Sequence, residues 1–258
     1  MPGPPLLQKA YMTLPDLDFE KDALFLDLDG TLIDIAPHPD DVVAPPDLIR
    51  SLGALERRLG GALSVISGRP IAAIDALLAP LRLPASGVHG AEIRFEAGQD
   101  KIARAAPPIP NGVRWLLAPL AEIPGVLVED KTIAIAVHFR QAPDAAERVK
   151  EVVEAAVAAH RGDQLTVVPG KCVFEIKHAR FSKGTAVEEF MARPPWAGRR
   201  PVFVGDDVTD EAAFAVLPKW NGVGIAVGQP RPGAVAAFAT ASDVRNWLAG
   251  LAREECTT

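Results

Sequence analysis

The sequence predicts an α/β protein, with a doubly wound, Rossmann-like parallel sheet as its core and an α+β module inserted into that core. Three observations carry this reading. Short apolar runs alternate with helical apolar spacing near the start of the chain and again near its end, the rhythm of βαβ units. Between those blocks the pattern becomes strict alternation, as in Thr132-Ile133-Ala134-Ile135-Ala136-Val137-His138, which marks antiparallel strands. Several apolar runs also end in polar or acidic residues, at the strand ends where doubly wound sheets bind ligands.

Ala23-Leu24-Phe25-Leu26 is uniformly apolar and too short for a helix, so it reads as a buried strand stopping at Asp27. Asp47 to Leu59 follows Pro45-Pro46, places Leu48, Leu52, Leu55 and Leu59 on one helical face, and ends at Gly60-Gly61. Ala62 to Ile66 is a second strand, ending at Ser67-Gly68-Arg69, and Pro70 opens a helix running to Leu78. The inserted module reads as a helix (Asn111 to Ile123), strands Val126 to Glu129 and Thr132 to Phe139, a long helix Asp144 to His160, and strands Leu165 to Val168 and Cys172 to Lys177. The apolar stripe Val149, Val152, Val153 and Ala156 should pack that long helix on the module's own sheet. The α/β rhythm then resumes. Ser182 caps a helix to Met191, and Val202-Phe203-Val204 is a strand ending at Gly205-Asp206-Asp207. A helix Asp210 to Leu217, a strand Gly224 to Val227 and a closing helix Asp243 to Ala252 complete the chain. This divides it into a core (1–106 and 177–258) and an insert (107–176).

The bulk numbers narrow the function. With 258 residues, 48% of them hydrophobic, the chain can bury a large core, as one big domain or as a core with a smaller companion. A net charge of −6 argues against nucleic acid as a partner, because a phosphate backbone demands a basic surface. No apolar stretch approaches the roughly 18 residues of a membrane span. Met1-Pro2-Gly3-Pro4-Pro5 lacks the basic start of a secretory signal, and the proline-rich start to Pro15 is expected to be unstructured. Two distant cysteines, Cys172 and Cys256, make no disulfide framework, so a reducing cytoplasm is expected, with Cys172 as inert packing.

Asp27 and Asp29 leave one strand end; Asp206, Asp207 and Asp210 follow another. Singly, each could be ordinary turn chemistry. Together they would repel one another unless a cation sat among them, and a hard divalent ion with oxygen ligands, Mg²⁺ above all, suits the set.

Asp27-Leu28-Asp29-Gly30-Thr31-Leu32 resembles the first motif of the haloacid-dehalogenase-like (HAD) phosphohydrolases. Ser67 in Ile66-Ser67-Gly68-Arg69 is similar to their second motif, Lys183 in Ser182-Lys183-Gly184 to their third, and Gly205-Asp206-Asp207 with Asp210 to their fourth. The resemblance implies a HAD-like core with a cap domain and an aspartyl-phosphate mechanism. In it Asp27 is the nucleophile, Asp29 the general acid and base, Gly30 a close backbone approach to the phosphoryl group, and Ser67 and Lys183 its donors. It also implies a magnesium site made by Asp27, the Asp29 backbone carbonyl and Asp206, with Asp207 and Asp210 behind it.

A finer resemblance covers almost the whole chain. Gly205-Asp206-Asp207-Val208-Thr209-Asp210-Glu211 is similar to the fourth motif of the trehalose-6-phosphate phosphatases. So are Gly87-Val88-His89-Gly90-Ala91-Glu92, Glu129-Asp130-Lys131-Thr132, His138-Phe139-Arg140 and Gly170-Lys171-Cys172-Val173-Phe174-Glu175-Ile176-Lys177 to their counterparts in that family. This implies that Glu129, Lys131, Glu175 and Arg140 contact sugar hydroxyls from the cap. The alternative for Glu129 and Lys131 is a surface ion pair. His89 and His138 read as hydrogen-bonded structural histidines, and Arg69 receives no chemical role. The expected partner is a small sugar phosphate bound by a monomer. Two rivals stand beside this reading: a phosphatase for another sugar phosphate, and a non-catalytic sugar-phosphate-binding module.

Overall fold

β1 (Asp22–Leu26) lies inside an eight-stranded sheet, buried along its whole length, which explains why its sequence is an unbroken apolar run. The structure is a computed structural model and describes residues 14, 16–35, 42–99, 104–170 and 172–253. Most of the proline-rich start, Lys171 and Cys256 lie outside the described residues.

From β1 the chain passes through helix α1 (Pro46–Arg58) to β2 (Leu63–Ile66), then through α2 (Ile71–Leu77) to β3 (Ala85–Gly87). Two short antiparallel strands, β4 (Glu92–Arg94) and β5 (Arg104–Ala105), finish that edge. The chain then leaves for a second sheet. It builds α3 (Asn111–Leu117), β6 (Leu127–Asp130), β7 (Ala134–His138), α4 (Ala146–Ala159), β8 (Leu165–Gly170) and β9 (Val173–His178). It returns through α5 (Lys183–Met191) to β10 (Arg200–Gly205), α6 (Glu211–Val216), β11 (Val223–Val227), β12 (Ala236–Phe238) and α7 (Ala241–Arg253).

The large sheet has the order β12-β11-β10-β1-β2-β3-β4-β5, parallel from β12 to β3. Connections run one way from β1 and the other way from β10, so the switch point falls between these two neighbours. Their register is pinned at the opposite end, where Arg200 donates to both Asp22 oxygens at 2.8 and 2.7 Å.

The inserted sheet, β6-β7-β9-β8, is antiparallel throughout. Ile135, Val137 and Ile176 pack with Val149, Val153 and Ala156 of α4 in a cluster of their own, as the helical stripe predicted. A smaller cluster of Val88, Ala91, Ala106, Ile133, Ala134 and Phe181 joins the insert to the core. Two predicted helices are shorter than their apolar patterns. The helix from Asn111 gives way to a 3₁₀ turn, Ala118–Glu122, at Pro119, which has no N–H to continue it. The helix from Asp210 opens instead as a 3₁₀ turn, Val208–Asp210, capped by Asp207. Among the described residues no helix is long and apolar enough to cross a membrane.

Candidate active site

β1 and β10 end side by side, and the Asp27 amide donates to the Val204 carbonyl at 2.9 Å. This fixes the Asp27 carboxylate, almost wholly buried, beside Asp206, the residue that follows β10. Lys183 arrives from a third element. Ser182 caps α5 through a reciprocal pair: its Oγ accepts from the Thr185 amide at 3.1 Å and its own amide donates to Thr185 Oγ1 at 2.9 Å. That cap aims the first helical side chain inward. Lys183 Nζ donates to Asp27 Oδ1 and to Asp210 Oδ1, each at 2.7 Å. The other Asp210 oxygen accepts the Asp207 amide at 3.0 Å, while Asp207 Oδ1 accepts from the Thr209 amide and hydroxyl at 2.7 and 2.5 Å. Gly30 has φ +83°, and a Cβ there would lie 2.2 Å from Asp206 Oδ2, so glycine is what lets the two motifs meet.

The electrostatics follow from crowding. Burial lifts the Asp27 carboxyl well above the usual range; Lys183 opposes this, while Asp210, Asp206 and Asp207 add to it. Burial, with Asp210 and Asp207, raises Asp206 to about 7. Burial works against the Lys183 ammonium, but Asp210 and Asp27 lift it well above the ordinary lysine value. Asp27, Asp206 and Asp210 bring carboxylate oxygens within 4.8 Å of one another. Carboxylates this crowded repel one another unless protons or a hard cation lie among them. The all-oxygen donor set therefore fits a metal. Asp210 is engaged at both oxygens by Lys183 and the Asp207 amide, which suits a supporting place behind the cation.

Ser67, at the end of β2, is buried and accepts the Arg69 amide at its Oγ, 3.1 Å away. The Arg69 side chain reaches back to Asp29, with Nε to Oδ2 and Nη2 to Oδ1 both 2.7 Å. Sequence reasoning gave Arg69 no role, and no local signal links residues forty positions apart.

The insert closes on this same turn. Lys131 Nζ lies 3.3 Å from the Gly68 carbonyl and 3.1 Å from Glu175 Oε1, and Glu129 Oε2 lies 4.0 Å away. Glu175 Oε2 meets His89 Nε2 at 2.6 Å, and His138 Nε2 meets Glu129 Oε2 at 2.9 Å. Burial opposes ionisation of Glu175, but His89 and Lys131 outweigh it and hold the carboxyl well below the usual range. Both histidines are thus hydrogen-bonded, to the very carboxylates singled out for sugar. His89 occupies a loop in which Val88, His89 and Gly90 all have positive φ (46°, 52° and 102°), a strained turn whose backbone binds Ser67 and Arg69. Arg140 stays apart: it is exposed on the turn after β7.

Carboxylates and a buried lysine gathered at the switch point of a doubly wound sheet, beneath an inserted second sheet, follow the plan of the HAD phosphatases, and this fold is theirs. It superposes on the C-terminal domain of Candida albicans trehalose-6-phosphate phosphatase with a TM-score of 0.78, covering 90% of this chain and 92% of that one at 21% identity. Residues 25–242 match the profile of the trehalose-phosphatase family. The chain is 40% identical over 248 residues to a probable trehalose-phosphate phosphatase of Sinorhizobium fredii, covering 95% of this chain and 93% of that one. It is also 40% identical over 229 residues to the trehalose-6-phosphate phosphatase of Escherichia coli K12, covering 88% and 85%. The chain belongs to the trehalose-phosphatase family.

Proposed function

We propose that this enzyme hydrolyses trehalose 6-phosphate to trehalose and phosphate, with Asp27 as nucleophile and Mg²⁺ as cofactor. Asp27 would attack phosphorus, forming an aspartyl-phosphate as the bond to the sugar oxygen breaks, and Asp29 would give that oxygen its proton. A water would then attack the same phosphorus and lose a proton to Asp29, freeing Asp27 and releasing phosphate. Ser67 and Lys183 would donate to the phosphoryl oxygens throughout. Asp27, the Asp29 carbonyl and Asp206 would hold the Mg²⁺, which when bound supplies positive charge to the phosphoryl group and the crowded carboxylates. Asp207 and Asp210 support that set.

One observation carries the substrate reading. Glu129, Ala136 and Glu175 stand opposite one another across β6, β7 and β9, so all three side chains point to the same face of the inserted sheet. Lys131 and Glu175 on that face touch Gly68 and His89, residues of the turn and loop that surround Ser67. Alanine between two glutamates keeps the middle of that face short, with hydrogen-bonding groups on either side that suit a molecule rich in hydroxyls. This supports residues 107–176 as a cap reading the sugar, and 1–106 with 177–258 as the catalytic core. Arg140 would join from the cap rim when the sugar is bound. We read the enzyme as a cytoplasmic monomer, two cysteines in 258 residues suiting a reducing compartment.

The test is phosphate release from trehalose 6-phosphate, glucose 6-phosphate and sucrose 6-phosphate, each with and without Mg²⁺. The disaccharide trehalose 6-phosphate should be turned over fastest by at least roughly tenfold, and only with the metal. Equal turnover of glucose 6-phosphate would overturn the substrate; no turnover of any ester would overturn the enzyme.

A further inference from the structure

The clasp between Arg69 and Asp29 has no part in the scheme above. It is a fork-to-fork pair, with two parallel contacts of 2.7 Å, so it sets the plane of the Asp29 carboxylate as well as its place. The Arg69 side chain is 18% exposed and that of Asp29 35%, so the pair is partly buried. The backbone of Arg69 is secured independently of its side chain. Its amide donates to Ser67 Oγ and its carbonyl accepts the Val88 amide at 3.0 Å. The backbone of the turn is thus held by other groups, while the guanidinium engages the carboxylate that would move the protons. The cap's Lys131 also rests on Gly68, the residue immediately before it. Without Arg69, Asp29 would be a short side chain beyond the end of a strand, free to turn about its first torsion.

We propose that Arg69 is a positioning residue for Asp29, keeping one carboxylate oxygen in its fork while the other turns to the ester oxygen and then to the attacking water. The fork engages both oxygens, so a seated sugar phosphate would release one of them. The inference rests on Asp29 being the acid and base of the proposed reaction. Lysine cannot reproduce a planar fork, so Arg69→Lys restores a charge and a single contact without the fixed plane.

The experiment compares Arg69→Ala, Arg69→Lys, Asp29→Asn and the double variant Asp29→Asn/Arg69→Ala in the full chain with Mg²⁺. Substrates are the sugar phosphate that the unaltered protein turns over fastest and, by rapid mixing, p-nitrophenyl phosphate. Arg69→Ala should lower kcat on the sugar phosphate by about 10- to 100-fold, the worth of a lost charged contact, with KM changed less than about threefold. Arg69→Lys should recover part of that loss. The first-turnover burst of p-nitrophenolate should slow by less than about threefold, because this leaving group needs no proton. In the Asp29→Asn background the Arg69 change should cost nothing further. An equal loss in that background, or a burst slowed as much as sugar turnover, overturns the inference and assigns Arg69 to the phosphoryl group or the fold. Should Arg69→Ala fail to fold, Arg69→Lys carries the same comparison. Full sugar turnover by Asp29→Asn would overturn the proposed mechanism and this inference together; loss in Asp29→Asn with unchanged turnover in Arg69→Ala would overturn this inference alone.

Discussion

Asp27 is buried among groups of its own sign, and that shapes what its replacement should do. Burial and three neighbouring carboxylates favour its neutral form, which Asn mimics in shape and charge. Asp27→Asn should therefore abolish turnover while melting no lower than the parent in metal-free buffer. More than a few per cent of parental activity would refute the covalent route, and a markedly lower melting temperature would refute the crowding argument. The residues of this cluster were legible because each sits at a strand end inside a short, recognisable string. Arg69 and His89 were legible as residues but not as partners. Their contacts to Asp29 and Glu175 join segments far apart in sequence, and only the closed arrangement of core and insert brings them together.

Among the elements, α5 and the face of the inserted sheet make distinct demands. The Ser182–Thr185 pair satisfies the first amides of α5 and aims Lys183, so Ser182→Ala should cost about 1 kcal/mol, read as a lower urea midpoint, and should also lower kcat. An unchanged midpoint would mean that neighbouring packing, not the cap, fixes the helix start. On the inserted sheet, replacing Glu129, Lys131 or Glu175 by Ala should cut efficiency on trehalose 6-phosphate roughly ten- to a hundredfold more than on p-nitrophenyl phosphate. Glu175 should show the largest effect, since its loss also strands Lys131 and His89. Equal losses on both esters would point to a fold defect instead. The strands that sequence reasoning recovered are those with continuous apolar runs or clean alternation. It missed β3, β4, β5 and β12, which are at most three residues long. Where burial there falls on polar groups, hydrophobic pattern gives no sign of it: Arg94 is 2% exposed because Asp75 and the Leu83 carbonyl take its donors.

For the whole molecule, the acidic site links stability to pH and, on the proposed reading, to metal. Asp206 is raised to about 7 in the folded protein, chiefly by burial, against an ordinary carboxyl near ~3.9 when unfolded. The fold favours its protonated form, so this contribution is intact below about pH 4 and is lost as pH rises through about 7. Asp207 and Glu175, both held low, act in the opposite sense and in a different window. Their contributions are present above about pH 4 and fade as pH falls below it. Metal-free protein should therefore show a melting temperature that declines from about pH 4 to about pH 7, a decline that Asp206→Asn flattens. Added Mg²⁺ should raise the melting temperature more near pH 8 than near pH 5, because it competes with protons for the same oxygens. A slope unaffected by Asp206→Asn would remove Asp206 as its source.

The order of strands in the large sheet also bears on how the protein is made. β1 carries the Asp27 loop at its end, yet its neighbour β10 lies far along the chain, with Asp22 and Arg200 separated by 178 positions. A chain emerging from the ribosome can pair β1 with β2 early, and can complete the inserted sheet, whose strands all fall between Leu127 and His178. It cannot cover the other edge of β1 until Arg200–Gly205 has been synthesised, so the nascent protein passes through a stage with a finished insert and a bare, apolar strand edge in the core. Chains stalled with β9 outside the ribosomal tunnel and β10 still inside it should accordingly be cut by protease within the early α/β segment while the inserted sheet resists, and protection of β1 should appear only once β10 has emerged.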